Sequence, residues 1–340
     1  MPAFHWKTHL AILALVVLGG LALGACQRDR EKLVVYSGRT QSLVHPLLLQ
    51  FAERTGIDIE VKYLSTSGVV VQLLEEGNAS RADVVYLQDA GALGALAKRD
   101  MLAELPEGIL RKVDSRFRSP SGEWVGISGR ARTVVYNTER VNPETDLPDS
   151  ILGFTAPEWR GRVGWSPLNG SFQAFVTAMR VTLGDDATRE WLRGMMANDV
   201  RALPNNVTIV DAVARGEVDA GLVNHYYWFQ FATERGADFG ARNHFLGDSD
   251  IGALVNVAGV AVVKNSRNRE AAERFVEFML SEEAQDYFRE ETFEYPLAAG
   301  VRALDNVPPL EEIGSPDIDL SNLDDLEGTL NLLREVGAIL

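Results

Sequence analysis

Tyr226 and Tyr227 stand side by side in the run Val223-Asn224-His225-Tyr226-Tyr227-Trp228, directly after the strand-like stretch Asp219 to Val223. A phenolate is a hard, anionic oxygen donor, and a pair of them suits a hard, highly charged cation such as ferric iron better than a soft metal. Geometry restricts where two chain neighbours can act together. On a strand they point to opposite faces, and within a helix they diverge by about 100°. They converge on one small target only where the chain changes course, and the pattern here predicts a strand-to-helix corner. An aromatic cluster of this kind also packs as core with its polar tips outward. The segment by itself leaves both uses open.

Other residues with chemical potential are few. Asn169-Gly170-Ser171 precedes the apolar helix pattern Phe172 to Leu183. A helix start offers free N–H groups and the positive end of a dipole, so it can hold a phosphate or carbonate; equally, Asn169 or Ser171 can simply cap the helix. His45, His225 and His244 are isolated from one another, and no zinc-type histidine pair, P-loop or Ser-His-Asp motif occurs. Gly91-Ala92-Leu93-Gly94 lacks the full dinucleotide fingerprint and reads as close helix packing. No motif indicates an enzyme.

The N-terminal segment reads as a processing signal. Lys7 precedes the apolar run Leu10 to Leu23, which ends in Leu23-Gly24-Ala25-Cys26. The run is short for a bilayer span, which takes about 20 residues, and it closes in small residues suited to cleavage. Cys26 is the only cysteine, so no intramolecular disulfide forms. Its setting resembles a bacterial lipobox, which implies cleavage after residue 25 and lipidation of the Cys26 thiol. Loss of residues 1–25 removes Lys7 and no acid, taking the formal net charge from -15 to -16. That balance excludes nucleic acid as a partner, since its backbone calls for basic patches.

The remaining length predicts two domains. Residues 26–32, rich in charge, read as a tether. Beyond it, Leu33 to Tyr36, Ile57 to Tyr63 and Ala82 to Tyr86 read as strands alternating with helices ending near Thr55, Glu76 and Lys98, the rhythm of an α/β domain with a mostly parallel sheet. Trp124 to Asn137 reads as two extended stretches flanking Ser128-Gly129-Arg130. A second α/β series follows: strand Arg162 to Trp165, helices Phe172 to Leu183, Ala187 to Asn198 and Val207 to Arg215, then strand Asp219 to Val223. Ala253 to Val263 reads as a long returning strand, and Leu326 to Val336 as the last helix. In parallel sheets ligands gather at the carboxyl ends of the strands. The loops there are Ser37 to Thr40, Gln88-Asp89, Asn169 to Ser171 and the Asn224 to Tyr227 corner.

Several runs together resemble the periplasmic ferric-ion-binding proteins, the substrate-binding components of bacterial iron ABC transporters. They are Val35-Tyr36-Ser37-Gly38-Arg39, Ala82-Asp83-Val84-Val85-Tyr86, Ser128-Gly129-Arg130-Ala131-Arg132 and Val135-Tyr136-Asn137-Thr138. Trp159-Arg160-Gly161-Arg162-Val163-Gly164, Asn224-His225-Tyr226-Tyr227-Trp228 and Glu294-Tyr295-Pro296-Leu297 complete the set. The match is collinear from Leu33 to Leu297. It implies a periplasmic binding protein type II fold: two α/β lobes, each a mostly parallel sheet flanked by helices, joined by a two-strand hinge. The first lobe takes residues 33–132 and 257–307, the second 133–256 and 308–340. The resemblance further implies that Tyr226 and Tyr227 ligate Fe3+ and that a synergistic anion, phosphate or carbonate, completes the shell. Asn169, Gly170, Ser171, Asn206 and Asn224 then surround that anion.

The chain also departs from the family pattern. Thr40 stands where some members have a histidine ligand, Gln88 (followed by Asp89) where they have a glutamate, and Phe172 where others have a third tyrosine. Arg39, Thr40, Gln88, Asp89 and Arg132 are further cleft contacts on this reading, with Arg39 and Arg132 either meeting the anion or forming ion pairs elsewhere. Two phenolates leave a ferric ion with one uncompensated positive charge, which favours an anion. The resulting expectation is a monomeric extracytoplasmic lipoprotein, anchored to a membrane through Cys26, that passes ferric iron to an ABC permease and its ATPase. An alternative keeps the fold and changes the cargo to an organic anion of phosphonate type or to a ferric chelate.

Overall fold

The computed structural model describes residues 32–247, 249–302, 304 and 307–340. The signal-like segment, Cys26 and most of the tether lie outside the described residues. Among the described residues no helix is long and apolar enough to cross a membrane.

The first lobe begins with β1 (Lys32–Ser37), α1 (Gln41–Thr55), β2 (Asp58–Tyr63), α2 (Thr66–Glu76), β3 (Val84–Leu87) and α3 (Ala90–Ala97), followed by the short α4 (Glu107–Leu110). β1 pairs in parallel with both β2 and β3. Its apolar run is buried on both faces, as a central parallel strand covered by helices must be. Local chemistry marks the ends of the helices. Gly56 closes α1 in the left-handed region (φ 71), while the Ser65 hydroxyl and the Asp89 carboxylate cap the starts of α2 and α3.

β4 (Val125–Asn137) joins the two lobes. Its first half pairs with β9 (Val255–Val262), and from Arg132 onward it pairs with β7 (Ala220–Asn224) and β8 (Ala241–His244). The two extended stretches expected around Ser128-Gly129-Arg130 are therefore one strand, irregular between Gly126 and Ser128. β9 returns antiparallel beside β3 and β4, so two adjacent strands connect the lobes. In the second lobe β5 (Val163–Trp165) pairs in parallel with β6 (Arg201–Ala202) and β7. Around them stand α5 (Gly170–Leu183), α6 (Asp185–Ala197), α7 (Asn206–Ala214) and α8 (Tyr226–Arg235). Trp165, Phe172, Phe175 and Trp191 pack edge to face in the core of this lobe.

The chain then returns to the first lobe through α9 (Arg269–Met279), α10 (Glu282–Glu291) and β10 (Tyr295–Pro296), which pairs with β4 at Gly129 and Ser128. Last comes α11 (Leu326–Glu335). It lies against α5 of the second lobe, where the Thr177 and Thr329 hydroxyls meet at 2.7 Å. The turn before it, Leu320 to Leu323, lies instead on α3 of the first lobe. A Cβ at Gly91 would meet the Leu323 carbonyl oxygen at 2.1 Å, and one at Gly94 the Ser321 carbonyl oxygen at 2.2 Å. The glycines expected to serve close helix packing thus admit a backbone strap that crosses between the lobes.

Candidate functional site

β7 ends at Asn224 and α8 begins at Tyr226, so the tyrosine pair occupies the predicted corner. The two rings converge: their centroids lie 4.3 Å apart with 32° between the planes. Burial pushes the Tyr226 phenol well above its ordinary pKa, and the neighbouring Tyr227 hydroxyl adds to the effect. The half-buried Tyr226 phenol is therefore costly to ionise unless a cation takes its proton's place.

The residue before them fixes the corner. His225 is fully buried; its Nδ1 accepts from the Ala131 N–H at 3.2 Å and its Nε2 meets the Phe293 carbonyl at 2.8 Å. That pair of partners selects the neutral ring with the proton on Nε2. Burial pushes its pKa down to about 4. His225 is therefore a positioning residue that ties α8 to β4 and to the segment before β10.

Three guanidiniums stand around the pair. Ser128, Arg130 and Arg132 alternate along β4 and so share a face. Arg132, 4% exposed, donates to Asn224 Oδ1 at 3.2 Å and lies over the Phe175 ring. Burial pulls its pKa down to about 10, which leaves it cationic at neutral pH, and it interacts electrostatically with both tyrosines. Arg130, 2% exposed, donates from Nη2 to the Gln88 carbonyl, while its Nε has no partner. Arg39 is the exception: it pairs with Glu294 at 2.7 Å, both side chains 2% exposed, and the Ser128 hydroxyl donates to the same carboxylate. Of the two roles open to Arg39, it takes the ion pair.

The C-lobe loops converge as the parallel strands require. Asn169 caps α5, its Oδ1 accepting from the Ser171 N–H at 3.0 Å and from the Ser171 hydroxyl. Capping, one of the two expected uses, is realised, and the cap holds the loop in shape. Gly170 faces open space. At the start of α7 the capping residue is Asn205, which leaves the next residue free for another role. Asn206 is 1% exposed and its Nδ2 has no partner. Ser166, directly after β5, is also 1% exposed with an unpartnered hydroxyl. Buried polar groups are ordinarily hydrogen-bonded, so these two are donors in want of an acceptor.

A cleft of about 590 Å³ separates the lobes. Gln88 and Asp89 line it from the first lobe, Arg130 and Asn256 from the connecting strands, and Gly170 and Ser171 from the second. Arg130 lines the cleft and also interacts electrostatically with Tyr226, whereas Tyr226 and Tyr227 are not among the residues that line it. Asp89 caps α3 through Ala92 N–H, and burial raises its pKa. Thr40 is exposed at the start of α1 and is not among the residues that line this cleft. Among the described residues no three His, Cys, Asp or Glu side chains stand together as a metal site. The sequence reading does not single out Arg130, Glu294 or Ser166. For Arg130 a signal exists in the alternation of Ser128, Arg130 and Arg132; for Glu294 and Ser166 none is legible without tertiary contacts.

A family model described as "Bacterial extracellular solute-binding protein" matches residues 79–319. The chain is 32% identical over 319 residues to the "Major ferric iron-binding protein" of Neisseria meningitidis serogroup B, covering 93% of this chain and 96% of that one. It is 30% identical to the "Fe(3+)-binding periplasmic protein" of Serratia marcescens, covering 94% of each. Among solved structures, iron-bound HitA from Pseudomonas aeruginosa superposes with a TM-score of 0.83 at 35% identity, over 90% of this chain and 99% of that one.

Proposed function

Because the chain belongs to the family of bacterial extracellular solute-binding proteins, among the periplasmic ferric-iron-binding members, we propose that Tyr226 and Tyr227 ligate ferric iron directly, with an anion completing the shell. Proteins of this family bind solutes rather than transform them and work with ABC-transporter permeases. The observation that carries the proposal is the convergence of the two rings at 4.3 Å beside Arg130 and Arg132, neither of which forms a carboxylate ion pair within 4 Å among the described residues.

The charges support it. A ferric ion brings three positive charges into a place already holding two guanidiniums; two phenolates offset only part of that, and a buried excess is costly. A phosphate or carbonate on the second lobe offsets most of the remainder. Asn206 Nδ2, the Gly170 N–H and the Asn224 amide are the donors that would hold it, the Asn169–Ser171 cap shaping the loop around it and Gln88 or Asp89 approaching from the first lobe. Arg39 is occupied by Glu294 and takes no part in the shell. Iron binding releases the phenol protons, so affinity falls as pH falls, by about tenfold per pH unit for each proton displaced.

The lobes divide, on this reading, into 33–132 with 257–307 and 133–256 with 308–340. The change of partner in β4 at Arg132 supports the first cut. The protein acts on the extracytoplasmic side and delivers to a permease and its ATPase; lipid attachment at Cys26 rests on the sequence motif alone. Replacement of both tyrosines by phenylalanine tests the site. The expected result is loss of the visible phenolate-to-iron band and a fall in ferric affinity of at least about a thousandfold, roughly 4 kcal/mol. Undiminished affinity in that double variant would refute the assignment.

A further inference from the structure

Just past the end of α10 stands a residue that its backbone does not suit. Among the described residues four besides glycine have a positive φ: Asp100, Asp199, Ser249 and Phe293. Aspartate tolerates this region and serine is small, whereas a bulky ring there is an outlier. Phe293, at φ 57, follows Thr292 after α10, a position that helices commonly give to glycine. A residue in such a conformation is held there by its surroundings, and residues of this kind gather at functional sites.

The surroundings of Phe293 are the tyrosine corner. Its carbonyl accepts from His225 Nε2 at 2.8 Å, and its ring stacks on Phe229 of α8 with centroids 5.8 Å apart and 21° between the planes. One residue on, the Glu294 carboxylate takes Arg39 at 2.7 Å and the Ser128 hydroxyl. Tyr295 then lies against the His225 ring at 4.7 Å, and His225 meets the Tyr226 ring edge to face at 5.9 Å. Rotation about φ of Phe293 swings its own carbonyl and all that follows. A right-handed helical value would turn both the acceptor of His225 and the partner of Arg39 by about 120°. The stack on Phe229 offsets the cost of the backbone, which accounts for a ring where glycine would be unstrained.

We propose that Phe293 is a positioning residue for ferric ligation. Its left-handed backbone fixes His225, and through it the convergence of Tyr226 and Tyr227, while it turns Glu294 onto Arg39. The role presupposes ligation by Tyr226 and Tyr227. Phe293 touches no metal; it pins the start of the tyrosine helix from the segment that leads into β10.

Two substitutions separate the backbone from the ring. Phe293→Gly removes the ring and lets φ stay positive without strain, whereas the β-branched Phe293→Val removes it and resists that φ. Both lose packing and should melt lower, so melting temperature does not discriminate. In the apo-protein the buried Nε2 proton of His225 should give a slowly exchanging NMR signal, kept in Phe293→Gly and lost in Phe293→Val. In dialysis against ferric iron with inorganic phosphate, affinity should fall at least about tenfold in Phe293→Val and less than about threefold in Phe293→Gly. The phenolate-to-iron band should shift or weaken in Phe293→Val alone. Should that variant fail to fold, Phe293→Ala takes its place, with losses between the two. Equal affinity and an equal band in the paired variants, whether both intact or both impaired, would overturn the proposal. Loss of the NMR distinction between them, with iron binding by the wild-type protein intact, faults only this proposal. Failure of the wild-type protein to bind iron while the NMR distinction holds faults tyrosine ligation instead.

Discussion

Glu294 shows how much of the site depends on one side chain. It is the only carboxylate ion-paired to the three buried guanidiniums Arg39, Arg130 and Arg132 among the described residues. Burial works against its charge, yet Arg39, Arg130 and the Ser128 hydroxyl hold its pKa below the ordinary range. Glu294→Ala leaves Arg39 buried and unpaired, which costs about 3–5 kcal/mol. Urea unfolding of the apo-protein should report that loss; a change under about 1 kcal/mol would mean that Arg39 finds another partner. His225 adds a pH dependence of its own. Its folded pKa is about 4, below the usual value near 6.5, so between those pH values the unfolded chain binds a proton that the folded chain does not. Stability therefore rises with pH across that window and is lost as pH falls through it, by roughly 3 kcal/mol in all. In unfolding experiments from pH 4 to 7, His225→Asn should flatten the slope; an unchanged slope would assign it to other groups.

At the scale of elements, what was legible in the sequence followed from periodicity. The alternation in β2, the glycine stop after α1 and the strand-to-helix corner at Tyr226 all depend on neighbours within a few residues, and the structure places them close to the expected bounds. The single strand β4 was harder to read, because Ser128-Gly129-Arg130 resembles a turn; pairing with β9 and β10 on both sides keeps it extended. The short strands β6, β8 and β10 carry no local signal and exist through their partners. Long-range facts were not legible: that Arg39 meets Glu294 across most of the chain, and that Thr40 stays exposed without a capping bond at the start of α1. The strap between α3 and α11 is of this kind, since only contact with Ser321 and Leu323 explains Gly91 and Gly94. Gly94→Val should push the strap off α3. The obstacle is backbone rather than a flexible side-chain tip, so the cost is expected to be about 2 kcal/mol or more, read as a lower melting temperature. A neutral effect would mean that the strap is loosely held.

At the scale of the whole molecule, iron and its anion can favour closure only by touching both lobes, because a ligand shifts a conformational equilibrium solely through its difference in affinity for the two states. The tyrosines and the Asn169 to Ser171 loop belong to the second lobe, and Gln88, Asp89 and the start of α2 to the first. Arg130 lies on the strand between them, in contact with Gln88 and within the field of Tyr226. On the proposed assignment the anion would be the element that reaches across the cleft, while the tyrosines would hold the metal to one side. The two contributions should separate in solution. Small-angle scattering of the wild-type protein should report a smaller radius of gyration with iron and phosphate together than with either alone. Arg130→Ala should keep the phenolate-to-iron band and lose most of the contraction. A variant that contracts fully with both components present would place the closing contact elsewhere, on the strap at Leu323 and Asp324 rather than on the hinge strand.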